Sequence, residues 1–351
     1  MNKDDFIRLC KRAGLSIVLR QDSSLWELVY GRVPYQSTLY LSSMIDYQLE
    51  YQQGHGGYWE DFSCVIFSDK KPVALWPITF SLKDEVVNLS SQGRELLPPI
   101  FVDDCPNKTK KSVIRSAVNL IDVISDEISL QIVTTVSVFD GSQGLDNWHA
   151  LWMKSGAESL VQHNLYVDLS YQIEKIKSFL RRRYKSFVST GERIWNVEVL
   201  SGFIERNVWE EFRHLHLEVA QRVTRSEGSW ELQYLSVKTG ESFLIVLRDD
   251  EGKMVGAGLF TASRDEGCYA VGAYDRGLFD KPLSHVVQFR AIQEMQKRGC
   301  LWYFIGRRSY PSDEPTPSEK ELSISNFKEG FSTHLVPSIQ AMKKYTKNGT
   351  I

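Results

Sequence analysis

The chain has 351 residues and a mass of 40.3 kDa, a length that favours two domains over one. Its 42 Lys and Arg against 44 Asp and Glu leave a net charge of −2, which excludes a uniformly basic nucleic-acid coat and an acidic disordered tail. With 42% hydrophobic and 25% charged residues both halves can bury a core, so fibrous, collagen-like and largely disordered classes drop out.

The near-zero charge conceals an asymmetry. Residues 1–165 carry 15 basic and 20 acidic groups, net −5, and residues 166–351 carry 27 and 24, net +3. These two stretches are the expected domains. The five cysteines, Cys10, Cys64, Cys105, Cys268 and Cys300, are odd in number and form no CxxC pair. Reduced, buried thiols are therefore expected, not a disulfide framework or a zinc ribbon, and no metal is expected. The N-terminus lacks the apolar stretch of a signal peptide, and no run approaches the ~18 apolar residues of a membrane span. The expectation is a cytoplasmic protein without an integral span, which leaves room for work on envelope precursors made in that compartment.

Apolar residues at helical spacing predict helices through Leu41, Met44, Ile45 and Leu49, and through Ile114, Ala117, Val118 and Ile121. A third runs through Ile173, Ile176, Leu180, Tyr184 and Phe187, a fourth through Trp209, Phe212, Leu215 and Val219, and a fifth through Val287, Ala291, Ile292 and Met295. Two hairpins stand between them. Phe62 to Phe67 and Val73 to Phe80 flank an Asp69 to Pro72 turn, and Phe243 to Leu247 and Met254 to Phe260 flank an Asp249 to Gly252 turn. Their likeness is consistent with a duplicated α/β unit and equally with two unrelated hairpins. Further strands are predicted at Val86 to Leu89, Gln131 to Val138, Cys268 to Ala273 and Trp302 to Ile305, and the prolines between Tyr310 and Ser318 predict a loop.

Four constellations can carry chemistry. Glu174 to Arg193 holds seven basic residues, Lys175, Lys177, Arg181, Arg182, Arg183, Lys185 and Arg193, against Glu174 and Glu192. On one helix, Arg181, Arg182 and Arg183 would fan over the outer surface and suit phosphates of tRNA, a nucleotide-linked sugar or coenzyme A; a solvated face without a ligand is the plain alternative. Next, Ala273 to His285 leads from a strand into a helix, the layout in which a helix N-terminus receives an anion. Here Asp275 or His285 would accept a proton from an attacking amine and Tyr274 would donate one, or Asp275 pairs Arg276 and His285 bonds backbone. The glycine-rich pyrophosphate loop usual in acyl-coenzyme A N-acetyltransferases is not present.

The third is Trp302 to Arg308, including Arg307, followed by Ile324 to Phe331. Aromatics around a lone Lys328 point to a cation beside a pocket wall, or to a lysine snorkelling from a core segment. The fourth runs from Arg222 to Gln233, where Arg225 and Trp230 would suit a sugar or nucleotide. His214 and His216 lie two apart on a helix and cannot both face one metal.

The third segment resembles a known family. The strand Tyr303 to Gly306, a loop, and Phe327-Lys328 running to Gly330-Phe331 are similar to the C-terminal signature of the Fem family of tRNA-dependent aminoacyl transferases. They are also similar to the FemAB-like and polysaccharide-cluster acyltransferases. The segment Leu180 to Gly191 resembles the one that opens the family's second domain, and Pro282 with the helix closing at Gly299 matches the element before the strand. Phe304 stands where many members carry Asp, Ser332 follows Phe331 where they carry Gly, and the heptad arm of some tRNA-using members is not seen.

The resemblance implies an α/β fold of two tandem GNAT-like domains, each a central mixed sheet flanked by helices. It implies transfer of an acyl or aminoacyl group to an amine of a cell-envelope or surface-glycan precursor. The acceptor would be a nucleotide-linked sugar or peptidoglycan precursor and the donor acyl-coenzyme A or aminoacyl-tRNA, without DNA as a partner. Lys328 with Phe327 corresponds to the family's Phe-Lys and would meet an oxyanion or phosphate, and Tyr303 or Tyr274 would protonate the leaving group. A glycan-binding protein without activity, built on the same fold, is the alternative from another class.

Overall fold

A computed structural model describes residues 1–20, 23–83, 86–128, 130–135, 147–346 and 349–350. The chain divides into two compact units, Met1–Val161 with Ser338–Ile351, and Gln162–Pro337. Residues 338–351, expected with the second half, thus belong to the first unit.

In the first unit the order is α1 (Lys3–Arg12), β1 (Ser16–Leu19), α2 (Ser23–Tyr30), α3 (Ser42–Gln53), β2 (Tyr58–Asp61), β3 (Cys64–Ser68), β4 (Lys71–Trp76), β5 (Thr79–Lys83), β6 (Val86–Ser90), β7 (Ile100–Phe101), α4 (Asn107–Ser125), β8 (Leu130–Thr135) and α5 (Asn147–Lys154). The predicted hairpin is β3 against β4, and β2, which was not predicted, extends it against β5. Its turn places Asp69 and Lys70 at positive φ, 50° and 62°, as a two-residue hairpin turn demands. The two halves of the hairpin are joined where Phe62 N–H donates to the Ile78 carbonyl at 2.9 Å. One set of strands runs β1-β3-β4-β7, and the other takes in β2, β5, β6 and β8, with β6 and β8 parallel. Of the strand expected at Gln131 to Val138, residues 136–138 lie outside the described residues. One apolar core, with Trp26, Trp76, Trp148 and Trp152 fully buried, holds this unit together.

The chain passes into the second unit within β9 (Glu158–Asp168), and α6 (Ile173–Phe179), α7 (Arg182–Ile194), β10 (Asn196–Leu200), α8 (Arg206–Ala220), α9 (Glu227–Thr239), β11 (Ser242–Arg248), β12 (Met254–Ala262), β13 (Glu266–Tyr274), α10 (Leu283–Lys297), β14 (Trp302–Arg308) and α11 (Glu319–Glu329) follow. The chain then enters β15 (His334–Thr346), whose Gln340–Tyr345 pairs antiparallel with β8 of the first unit, and ends in β16 (Gly349–Thr350).

The sheet of the second unit has the order β10-β11-β12-β13-β14-β9, antiparallel except for β13 beside β14. Both faces are covered, which is why β11 and β12 read as unbroken apolar runs. Along β11, Phe243, Ile245 and Leu247 join the core formed with α6, α7 and α10, while Leu244 and Val246 join the core under α8 and α9.

One predicted helix is two. The apolar stripe through Ile176, Leu180 and Tyr184 is real, but Leu180 and Arg181 are extended, at ψ 140° and 138°. Leu180 stays in the core while the Arg181 amide donates to the Gly330 carbonyl at 3.1 Å, so a tertiary hydrogen bond replaces a helical one. All five cysteines are free and buried, with the Cys10 and Cys300 thiols pushed up to about 12 by burial. Among the described residues no helix is long and apolar enough to cross a membrane, and no cluster of three His, Cys, Asp or Glu could hold a metal.

Candidate functional site

β13 and β14 pair only at Glu266–Trp302, Gly267–Tyr303 and Cys268–Phe304. Past that point β13 continues to Tyr274 and β14 to Arg308 with no ladder between them among the described residues. Each strand carries an irregularity where they part. The β12–β13 register shifts between Leu259 and Phe260, and the β14–β9 register shifts between Phe304 and Gly306. Bulges bend and twist a strand, and one on each side drives the pair apart.

Lys328, in the last turn of α11, stands at this divergence. Its Nζ is 5.4 Å from the centroid of the Tyr269 ring on β13. On the other side lies Gly306 of β14, where a Cβ would stand 2.6 Å from the same Nζ. Gly306 has φ 141°, so this position favours glycine twice, for backbone conformation and for room. The ammonium has no carboxylate within ion-pair distance and no hydrogen-bond partner among the described residues. Burial draws its pKa below the ordinary lysine value, opposed by the Cys268 thiol. A half-buried cation without a counter-ion attracts an anion from outside.

Phe327, next to it, belongs to a ring cluster. His285 is packed by Tyr184 (4.6 Å between centroids), Phe187 (4.7 Å), Phe327 (5.1 Å) and Phe331 (6.1 Å), and its Nδ1 is buried without a hydrogen bond. Burial and the nearby Arg183 lower its pKa to about 4, so the imidazole is neutral at pH 7 and a poor base. It does not bond backbone at the helix start.

The start of α10 is itself covered by α7. A Cβ on Gly191 would meet the Pro282 carbonyl oxygen at 2.8 Å, and Leu283 and Val286 are buried. Gly330 packs in the same way, since a Cβ there would overlap the Tyr184 ring, whose hydroxyl donates to the Phe327 carbonyl at 3.3 Å.

The tyrosines expected as acids are otherwise engaged. Tyr303 is fully buried and its hydroxyl donates to Gln288 Oε1 of α10 at 2.5 Å, so it fastens β14 to that helix. The Tyr274 hydroxyl is buried beside that of Tyr269, both crowding Gly272, and burial pushes its pKa well up. Asp275 accepts from the Gly277 amide at 2.9 Å and pairs Lys253 at 3.8 Å, not Arg276, and so shapes the turn after β13.

The basic residues separate. Arg181 is spent on Asn326 Oδ1 at 2.8 Å and Glu329 Oε2 at 3.1 Å. Arg182, Arg183 and Lys185 are exposed without a carboxylate partner among the described residues; Arg183 lies over the Phe187 ring and Lys185 donates to the Ser178 carbonyl. Among the described residues Arg307 makes only a long 3.8 Å pair with Asp313, and its Nε is buried without a partner.

Arg225 and Trp230 lie elsewhere, on the α8–α9 side. Trp230 is buried against Trp209, Phe212 and His216, and Arg225 is over its ring and 3.2 Å from His216 Nε2. Trp230 is therefore core and not a stacking platform. Sequence reading passed over Tyr269, Gln288 and Glu329; only Tyr269, a polar aromatic in a strand of small residues, left a signal.

No family profile matches the chain, and no curated protein matches it by sequence. Solved structures do. FemX is 12% identical at a TM-score of 0.63, covering 92% of this chain and 96% of its own. L-PGS from Bacillus licheniformis is 15% identical at 0.59, covering 94% and 93%. The C-terminal domain of a putative lysylphosphatidylglycerol synthetase from Agrobacterium fabrum is 13% identical at 0.57, covering 97% and 92%. At these identities the likeness is one of fold. The mixed α/β class expected from the sequence, in two compact units, is the observed one.

Proposed function

We propose that the protein is an acyltransferase that moves an acyl or aminoacyl group from an activated ester or thioester to an amine of a cell-envelope or surface-glycan precursor. Lys328 carries this reading, as a partly desolvated ammonium without a counter-ion among the described residues, where β13 and β14 part. The fold likeness to FemX and L-PGS supports it.

In the transfer, the amine nitrogen bonds to the acyl carbon and the carbon–oxygen or carbon–sulfur bond breaks. The amine proton leaves with the departing group, and the oxyanion formed between these events faces Lys328. One such donor is worth about 10²–10³ in rate, because the charge it meets develops only as the reaction proceeds. Arg182, Arg183 and Lys185 would hold the phosphates of a nucleotide-linked acceptor. Tyr303, Tyr274 and Asp275 take supporting places, and no residue is assigned as base.

The donor reading favoured is aminoacyl-tRNA over acyl-coenzyme A. The start of α10, where a strand-to-helix turn would receive a pyrophosphate, is packed against α7 at Gly191. Melting curves with coenzyme A, charged tRNA and nucleotide-linked sugars test both choices. A ligand at a hundred times its Kd stabilises by about 2.7 kcal/mol. A shift with nucleotide-linked sugars and charged tRNA, retained in Lys328→Ala, is expected; a shift with coenzyme A alone would reverse the donor.

A further inference from the structure

A lysine left to itself extends its ammonium into water, because desolvating the charge costs more than its methylenes gain. Lys328 instead keeps Nζ between the Tyr269 ring and Gly306. The end of α11 must therefore be held. Glu329, the next residue, is gripped from two directions, its Oε2 accepting from Arg181 Nη2 and from Arg308 Nε, each at 3.1 Å. Arg181 stands where α6 and α7 part and also reaches Asn326. Arg308 lies on β14 two residues past Gly306, and donates to Ser325 Oγ at 3.1 Å and to the Ser309 carbonyl. One carboxylate thus pins the last turn of α11 both to α7 and to the strand that carries Gly306. Successive residues on a helix point about 100° apart, so a carboxylate aimed at these guanidiniums is turned from the ammonium beside it.

We infer that Glu329 is a positioning residue: held by Arg181 and Arg308, it seats Lys328 against Gly306 and, with its own charge taken up, leaves the ammonium for the oxyanion of the transfer. This rests on the role of Lys328 proposed above, and it makes Arg181 a part of the clamp and not a substrate contact. The groups facing Lys328 are Cys268 and Tyr269 from β13 and the Gly306 backbone from β14, with Glu329 on its own helix.

The rate at which Lys328 takes up acetic anhydride, followed by peptide mass spectrometry between about pH 7 and 11, titrates this amine without any substrate. In the unaltered protein it is expected to titrate below an ordinary lysine. Glu329→Ala is expected to raise its pKa toward the ordinary value, because the released ammonium swings into water. A carboxylate acting only as a nearby charge would do the reverse, since its removal would lower the value. Glu329→Gln, which keeps an oxygen for one guanidinium, should fall between, and it stands in if melting shows that the Ala variant does not fold. An unchanged or lowered titration in a folded variant overturns the inference. Transfer by Lys328→Ala bears on the functional reading alone, so the two fail separately.

Discussion

Two helical surfaces of the second unit are rich in basic residues, and they are unlike in what faces the charge. On α8 and α9, Arg206 pairs Glu210 and Glu231, Arg213 pairs Glu210 and Glu227, and Arg248 of β11 is held by Glu198 and Glu211. On α6 and α7, Lys175, Lys177, Arg182, Arg183, Lys185 and Arg193 have no carboxylate partner among the described residues, and Arg181 alone has one, Glu329. The count of charges does not separate a structural surface from a binding one; the partners do. A neutralised guanidinium has its hydrogen-bonding capacity filled, while a bare one has it to offer.

The comparison can be broken at the junction that ties α7 to Lys328. Gly330→Val inserts a side chain into the Tyr184 ring, and overpacking of this kind costs about 1–3 kcal/mol. We expect a lower urea midpoint and loss of ligand-induced stabilisation together. Next in size, Arg182→Glu with Lys185→Glu should weaken a nucleotide-linked ligand by about 10- to 100-fold, the worth of one charge-assisted hydrogen bond, with stability nearly unchanged. Isothermal titration and denaturant melts read the two quantities. The matching change on the other surface, Arg213→Ala, should do the opposite, costing at most about 1 kcal/mol of stability and leaving ligand affinity alone.

Each surface also holds one histidine drawn down to about 4, His285 by burial and Arg183, and His216 by burial and Arg225. The unfolded chain binds these protons near pH 6.5 and the folded chain does not until about pH 4. Stability is thus complete above pH 6.5 and is lost as the pH falls through that window. Urea midpoints measured down the range should decline, and His216→Gln should flatten the decline without touching ligand binding.

Much of this was legible in the sequence. The two hairpins and the strand through Tyr303 to Gly306 are local patterns, fixed by apolar spacing and turn residues; the helix that carries Phe327 and Lys328 has no clear apolar stripe and was not predicted. That Gly306 and Lys328 lie in segments that resemble one signature was readable; that one makes room for the other was not, because only the folded chain brings them together. The break after Leu180 was hidden because helical spacing continues through it, and the cause is a carbonyl 150 residues away by number at Gly330. Trp230 looked like a platform because its polar neighbours are adjacent in sequence, whereas its contacts, Trp209 and Phe212, come from α8.

Single-turnover transfer, with the donor and acceptor found by melting, is the most direct test of the central claim. Lys328→Ala should lose about 10²–10³ in rate with an unchanged melting temperature, as expected for a group that meets charge only in the transition state. Full-rate transfer by a folded Lys328→Ala protein would contradict the account.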